Sequence, residues 1–431
     1  MFASLIHRYY SHRDDAALRQ AWLAHLHRHF PAGQSKPVFP PFGNQVIGRQ
    51  PLRRLGKAFP SLRRHSGFCL SAPDHGRAQK YRVWETNGRT HRLKPPSRLS
   101  IGETHPVFAD FLPSFSSRRS FVLQVPQGAY SGHDHVLLDR DFEIIDWEAP
   151  WWAQPLGCPG SMFRTRLAKP CKLPGRTLVL AAPGAVNGNI WHYLFDSIPK
   201  IKIAQDAGFP LASFDWIVVN SLAGKIESDV LDRLGIPRSK VIECTAAPLI
   251  RADELTFVTL GCLLPPDPWV LDWLRATFQP PSPQPVQKRR KLFISRAQAS
   301  RRRFLNEVPF RNTLESNGFE TILLEKLTFD EQIAVMQEAE TVVAPHGAGL
   351  TNLVWCNPQT KVVELFANEY VNGCYWAIAE MLDLQYFYDI GQPTLPESYP
   401  ARPILDPQRT AAPLSFSDPE ALAERILSAI A

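Results

Sequence analysis

An α/β chain with two doubly wound domains facing a cleft is what this sequence predicts. Strand-length apolar runs alternate with amphipathic helical stretches from Thr177 onward. The segment Gln279–Pro285 holds four prolines in seven residues and divides that alternation into two blocks. The second block contains a Gly-rich turn directly after an apolar strand, Val342–Gly349.

The blocks set three expected regions. Residues 1–165 read as an N-terminal irregular and β-rich extension, 166–284 as a first Rossmann-like domain, and 285–431 as a second, ending in a helix over 417–431. Within the extension, residues 31–120 are rich in Pro, Arg and Ser with poor periodicity. Leu18, Trp22, Leu26 and Phe30 fall at four-residue spacing, which predicts an amphipathic helix over Ala16–Phe30 that docks on the protein or touches a membrane surface. Phe121–Val125 and Val136–Leu138 flank a Gly-containing turn and read as a hairpin, continued by Phe142–Ile145.

In the first block, strands are expected at Thr177–Ala181, Asp215–Asn220 and Leu255–Leu260, with helices at Trp191–Ala207 and Ile226–Leu234, the latter stopped by Gly235 and Pro237. Prolines at the density of Gln279–Pro285 fit neither a helix nor a central strand, so that segment reads as an extended linker. In the second block, strands are expected at Lys291–Ser295, Phe319–Leu324, Thr341–Ala344 and Lys361–Phe366. Helices are expected at Asn306–Asn317, from the capping box Thr328–Glu331 to Glu340, and from a second capping box at Ser417–Glu420.

Composition limits the function classes. A chain of 431 residues with 44% hydrophobic and 21% charged residues is neither disordered nor fibrous. Its 48 Lys+Arg against 41 Asp+Glu give +7, a weak bias that suits an anionic ligand as well as nucleic acid. The seven cysteines form no CxxC pair, so neither a zinc ribbon nor a disulfide framework is supported, and a reducing compartment is expected. No apolar run approaches the ~20 residues of a membrane span, and the apolar start is too short for a secretory signal. The expectation is a cytoplasmic protein, soluble or peripheral to the inner membrane.

The strongest chemical motif is Val342-Val343-Ala344-Pro345-His346-Gly347-Ala348-Gly349-Leu350-Thr351-Asn352. Gly347 and Gly349 are expected to take positive φ and to let backbone approach a ligand. Amides there and at a helix start near Leu350 suit a phosphate, and the His346 imidazole can donate to one. The turn is neither a Walker loop nor GxGxxG. Glu364, inside the next apolar run, is placed to accept ribose hydroxyls or is a strand-end surface carboxylate. Ser295 and Arg296 end the block's first strand, at the edge that faces ligands in open α/β sheets, and the Arg fork matches a diphosphate. Arg301, Arg302 and Arg303 follow, with solvation the default for at least two of them.

In the first block, Asn189 is a candidate cap that would put His192 in the first helical turn, where a neutral imidazole able to take a proton is expected. Asp196 lies four residues on, on the same face, while Trp191, Leu194, Phe195 and Ile198 form the packing stripe. The pair is a candidate catalytic pair, or Asp196 only orients a neighbour. His133-Asp134-His135 has ligand-type residues but sits on a hairpin tip where neighbours point to opposite faces, so no metal is expected there. Asp139-Arg140-Asp141 lies far from a strand end of the expected kind, and no GxSxG elbow exists.

Taken in order, Asn187-x-x-x-x-His192-x-x-x-Asp196-x-x-Pro199, Ser295-Arg296, Pro345–Asn352 and Val363-Glu364-Leu365 resemble glycosyltransferase family 61, which includes capsular-polysaccharide-type enzymes and enzymes adding xylose, arabinose or N-acetylglucosamine. The resemblance covers roughly residues 120–395. It implies a GT-B architecture and an inverting, metal-independent transfer from a nucleotide-diphosphate sugar to a glycan or polysaccharide hydroxyl, with no bound cofactor. It implies that Ser295, Arg296, His346, Gly347, Ala348, Gly349, Leu350 and Asn352 hold the diphosphate, that Glu364 holds the ribose, and that His192 and Asp196 lie on the acceptor side. Tyr193 stands where the family often has Trp. The competing readings are a GT-B transferase of another family, differing in donor, and a nucleic-acid-binding protein using the short basic runs at Arg53–Arg54, Arg63–Arg64, Lys288–Lys291 and Arg301–Arg303. Such a protein would carry a continuous basic face with interleaved aromatics, and these runs are dispersed.

Overall fold

A computed structural model describes residues 120–132, 135–147, 168–185, 189–260, 265–279, 289–396 and 407–431, with shorter stretches between residues 67 and 116. The expected helix at 16–30, the basic runs at 53–54 and 63–64, residues 133, 134, 187 and 188, and most of the proline-dense linker lie outside the described residues. Two compact units are present: residues 1–88 with 118–261, and residues 89–117 with 262–431.

The first unit is built on one sheet, of ten strands among the described residues. Cys171–Val179 lies between Leu249–Thr259 and Trp216–Val219, parallel to both, and Trp216–Val219 pairs in parallel with Val241–Glu243. Phe121–Pro126 and Ala129–Ser131 run antiparallel along the two halves of Leu249–Thr259. The register breaks between Leu173 and Arg176, on either side of Pro174-Gly175, and a break of this kind bends a strand. The halves therefore close on one another. Tyr130, paired with Ile250, reaches the Ala181 carbonyl beyond the far end of Cys171–Val179. One core fills the fold between them, including Tyr130, Leu137, Ile145, Val179, Val218, Ile250 and Phe257.

The second unit has a six-stranded, all-parallel sheet in the order Phe319–Ile322, Arg290–Ile294, Ala339–Pro345, Lys361–Phe366, Gln385–Ile390, Ser97–Arg98. Without the added edge strand Ser97–Arg98 this is the doubly wound order 2-1-3-4-5, whose switch point lies between its first and third strands. Those strands are Arg290–Ile294 and Ala339–Pro345, and the two candidate loops leave their carboxyl ends. The capping box at Thr328 and Glu331 forms as expected, with both hydrogen bonds present. Leu422, Ile426 and Ile430 bury one stripe of the last helix. Its cap is Asp418, which accepts from the Ala421 amide, rather than Ser417. Proline at position 419 is the reason: it has no N–H to lose at the first helical turn.

Three differences from the expected regions have physical causes. The β-rich segment does not stand apart from the first Rossmann-like block, because its strands complete the same sheet. Residues 89–117 belong to the second unit: Ser97–Arg98 extends its sheet, and Phe108 packs on Tyr388, Trp376 and Phe366 at 4.4, 5.6 and 6.1 Å between ring centroids. The second unit also begins before the linker. An unexpected helix, Pro268–Phe278, places Phe278 at 5.2 Å from Phe329 and 6.3 Å from Trp355, while Arg275 donates to the carbonyls of Val354 and Cys356.

Phe278→Ala is therefore expected to destabilise the second unit by about 3–5 kcal/mol, the usual cost of emptying a buried aromatic site. Urea unfolding of the full chain checks this. A midpoint within error of wild type would place the helix outside the unit.

Candidate functional site

Two clusters of reactive side chains form, one in each unit. In the first, residues Ile190–His192 open a helix that widens into a π-turn over Tyr193–Ser197, a local irregularity frequent at functional sites. His192 Nδ1 lies 2.6 Å from Asp196 Oδ2, and both side chains are largely buried, at 15% and 16% exposure. The expected packing stripe of Trp191, Leu194, Phe195 and Ile198 is buried. Asn189 occupies the cap position without a side-chain capping bond, which corrects that expectation. The His192 ring sits on Gly184, where a Cβ would come within 2.5 Å of Cδ2 and 2.7 Å of Nε2. Gly184 also has φ +83°, so both space and backbone require glycine there.

The loop under this pair is fixed at three points. Ser197 Oγ donates to the Leu180 carbonyl, Lys200 Nζ donates to the Ala181 carbonyl, and the Asn220 amide exchanges two bonds with the backbone of Ala182. Lys200 is fully buried and was not foreseen. It continues the spacing His192, Asp196, Lys200, a four-residue repeat visible in the sequence. Burial pushes the Asp196 carboxyl above its ordinary range, while His192 and the Lys200 charge pull it back.

In the second cluster, Arg296 leaves the strand Arg290–Ile294 and lies against Gly347, whose Cβ would fall 1.9 Å from Nη1. Gly347 has φ 170°, and Gly349 is not among the glycines with positive φ. The expected positive φ is corrected: Gly347 is required by the close approach of the guanidinium. Arg296 Nη2 donates to the Arg301 carbonyl, and its buried Nε has no hydrogen-bond partner. Arg302 turns inward and donates to the carbonyls of His346 and Thr410, with its guanidinium 5.2 Å from the Tyr370 ring centre, while Arg301 and Arg303 are exposed. Both inward arginines thus spend their hydrogen bonds on backbone carbonyls. Burial and the Arg302 charge lower the Arg296 pKa to about 10.

His346 is enclosed by Phe366, Tyr370 and Tyr375, at 5.2, 5.3 and 5.4 Å between ring centroids. Its Nδ1 is hydrogen-bonded to Glu364 Oε1, and Tyr386 donates to Glu364 Oε2. Glu364 is fully buried with both oxygens engaged, so it is not a strand-end surface carboxylate, and a ribose hydroxyl would have to share or displace those two bonds. Burial, then Arg302 and Arg296, hold the His346 pKa well below its ordinary value, and burial holds Glu364 well above its own.

Other expected ligands take structural roles. Ser295 donates to Glu307 Oε1 at 2.5 Å and accepts from the Ala297 amide. Asn352 is buried, donating to Gln332 and the Gly349 carbonyl and accepting from the Trp355 indole. Leu350 packs inward and its amide is bonded to the Gly347 carbonyl. Ala348 and Gly349 remain half-exposed at the start of the short helix Ala348–Trp355, where the first amides have no intrahelical partner. Of the basic run 288–291, Arg290 is ion-paired with Glu320 and Glu338. Among the described residues no group of three or more His, Cys, Asp or Glu is arranged to hold a metal, and no helix is long and apolar enough to cross a membrane.

Comparison with known proteins gives a family match whose residues overlap these clusters, and partial relatives. A family model described as Glycosyltransferase 61 matches residues 190–363. A β-1,2-xylosyltransferase of Oryza sativa subsp. japonica is 38% identical over 64 residues, 15% of this chain and 12% of that protein. An EGF domain-specific O-linked N-acetylglucosamine transferase of Drosophila melanogaster is 30% identical over 121 residues, 27% of this chain and 22% of that protein. The chain thus spans less than a quarter of the length of these relatives. The family match takes in the His192–Asp196 pair, the Arg296 loop and the His346 turn, and over residues 190–363 the chain carries a glycosyltransferase 61 domain.

Proposed function

We propose that this protein is an inverting glycosyltransferase that moves a sugar from a nucleotide-diphosphate donor to a hydroxyl of a glycan or polysaccharide. In that reading the two units serve as the acceptor and donor domains of a GT-B enzyme. The observation that carries it is the pairing of Arg296 and Arg302 beside the Gly347 turn, neither guanidinium hydrogen-bonded to a carboxylate among the described residues. Two partly buried cations at a sheet switch point, with helix-start amides and an imidazole beside them, match a diphosphate in charge and donor geometry.

The chemistry follows from the two clusters. The acceptor oxygen forms a bond to the anomeric carbon from the face opposite the diphosphate, as the bond from that carbon to the diphosphate oxygen breaks. The bonding pair leaves with the nucleoside diphosphate, and Arg296, Arg302 and the turn amides offset the charge. The acceptor proton passes to His192 Nε2. Asp196 holds Nδ1 at 2.6 Å, fixing the ring and stabilising the imidazolium. No bound cofactor is needed in this scheme.

Three outcomes test it. Calorimetry with UDP or another nucleoside diphosphate is expected to show Arg296→Ala weakening binding by about 2–4 kcal/mol, the worth of one partner in a desolvated charge contact. Unchanged affinity would remove Arg296 from the site.

Transfer is expected to survive excess EDTA, since arginines carry the neutralising charge. Activity lost with EDTA and restored by Mn²⁺ or Mg²⁺ would assign that charge to a metal.

His192→Ala is expected to lower turnover by roughly 10²–10⁴-fold with donor affinity unchanged. Asp196→Asn is expected to slow turnover as well, but to keep or raise the melting temperature at pH 7. A carboxyl whose folded pKa is raised contributes its stability below the unfolded pKa and loses it as pH rises through the folded one. Replacing it with an amide removes that neutral-pH cost. Near-normal turnover in both variants would dismiss the pair.

A further inference from the structure

Glu364 is the most enclosed carboxylate in the second unit's reactive cluster. Its strand, Lys361–Phe366, is interior to the sheet, paired in parallel with Ala339–Pro345 on one side and Gln385–Ile390 on the other. At 0% exposure it has lost its water, and a carboxyl there is tolerable only with its oxygens satisfied. His346 Nδ1 and the Tyr386 hydroxyl supply both partners. His346 in turn is walled by three aromatic rings. Nδ1 is held by Glu364, and the opposite ring nitrogen, Nε2, makes no hydrogen bond among the described residues.

We propose that Glu364 is a positioning residue of the anion site, which by holding Nδ1 of His346 presents Nε2–H as a hydrogen-bond donor to the donor's diphosphate. This rests on the diphosphate reading of the cluster and replaces a ribose contact with a contact routed through the imidazole. The arrangement follows when Glu364 is protonated. Tyr386 donates to Oε2, so a proton carried by Glu364 sits on Oε1 and is donated to Nδ1, and the single ring proton of a neutral His346 then sits on Nε2. Burial favours the neutral form of both groups, outweighing the Tyr386 hydrogen bond and the Arg302 charge at Glu364, and the Arg302 and Arg296 charges disfavour a third cation at His346.

Titration calorimetry with inorganic diphosphate and with UDP, on the full chain, separates the two roles of Glu364. Glu364→Ala is expected to lower affinity for both ligands equally, by about tenfold, as for a hydrogen bond to a charged group that is no longer set up. Glu364→Gln, whose amide can donate to Nδ1 and accept from Tyr386, is expected to restore most of it. In a His346→Ala background, Glu364→Ala should have no further effect. A loss confined to UDP would return Glu364 to the ribose, and no loss for either ligand would leave it without a role in binding; both overturn the proposal. If Glu364→Ala does not fold, Tyr386→Phe is the second variant, with a smaller loss expected on both ligands alike, and a loss absent or confined to UDP again overturns the proposal. Long-range ¹H–¹⁵N spectra of histidine-labelled protein without ligand read the ring directly. Nε2–H is expected, and Nδ1–H would overturn the proposal. Wild-type protein that binds neither ligand would defeat the diphosphate reading itself, whatever the tautomer.

Discussion

The guanidinium of Arg296 against the bare Cα of Gly347 is the contact on which the second unit's site depends. No side chain larger than hydrogen fits between them, so strand order and turn composition are tied together. The parallel pairing of Arg290–Ile294 with Ala339–Pro345 brings the end of one strand beside the start of the other's turn. Arg296 leaves the first and Gly347 follows the second. Arg302 then closes on the same turn from the loop after Arg296, binding the His346 carbonyl. Positive charge is thereby concentrated beside the start of the short helix Ala348–Trp355, where first-turn amides lack intrahelical partners, and nothing in the described hydrogen-bond network offers either guanidinium a carboxylate.

Much of this was legible because it depends on local periodicity. Every expected strand of the second unit forms, with shifted ends, since parallel strands covered on both faces read as short apolar runs. Lys361–Phe366 matches residue for residue. The His192–Asp196 contact was also legible from four-residue spacing, even though the helix there widens to a π-turn. What the sequence did not disclose comes from contacts between distant residues. The fold-over of the first sheet depends on Tyr130 meeting Ala181. The helix Pro268–Phe278 joins the second unit through Trp355 and Phe329. Residues 89–117 reach that unit by adding a strand at its edge. The need for glycine at 347 was correct, but the cause is a side chain 51 positions away rather than backbone torsion.

Burial decides which polar residues face a ligand, and alternation along a strand does not reveal it when both faces are covered. Ser295, Asn352 and Glu364 have the chemistry of ligands, yet each is consumed internally, by Glu307, by Gln332 and Trp355, and by His346 and Tyr386. Arg302, one of three adjacent arginines of equal standing in the sequence, is the one that turns inward.

The two histidine–carboxylate pairs use one geometry in different surroundings. At His192–Asp196 burial raises the carboxyl, and the hydrogen bond and charge of His192, then the Lys200 charge, pull it back toward its ionised form. An ionised carboxylate accepts from Nδ1–H, leaving Nε2 with a lone pair, and it gains when the ring takes a second proton. At His346–Glu364 complete burial opposes both imidazolium and carboxylate; Arg302 and Arg296 oppose imidazolium further, while the Tyr386 hydrogen bond and the Arg302 charge pull the carboxyl back only in part. A protonated carboxyl donates to Nδ1 and leaves the ring proton on Nε2. In the proposed reaction one pair receives a proton and the other offers a hydrogen bond. Burial and the cations that act on the His346 ring, which no spacing of residues displays, distinguish the two pairs.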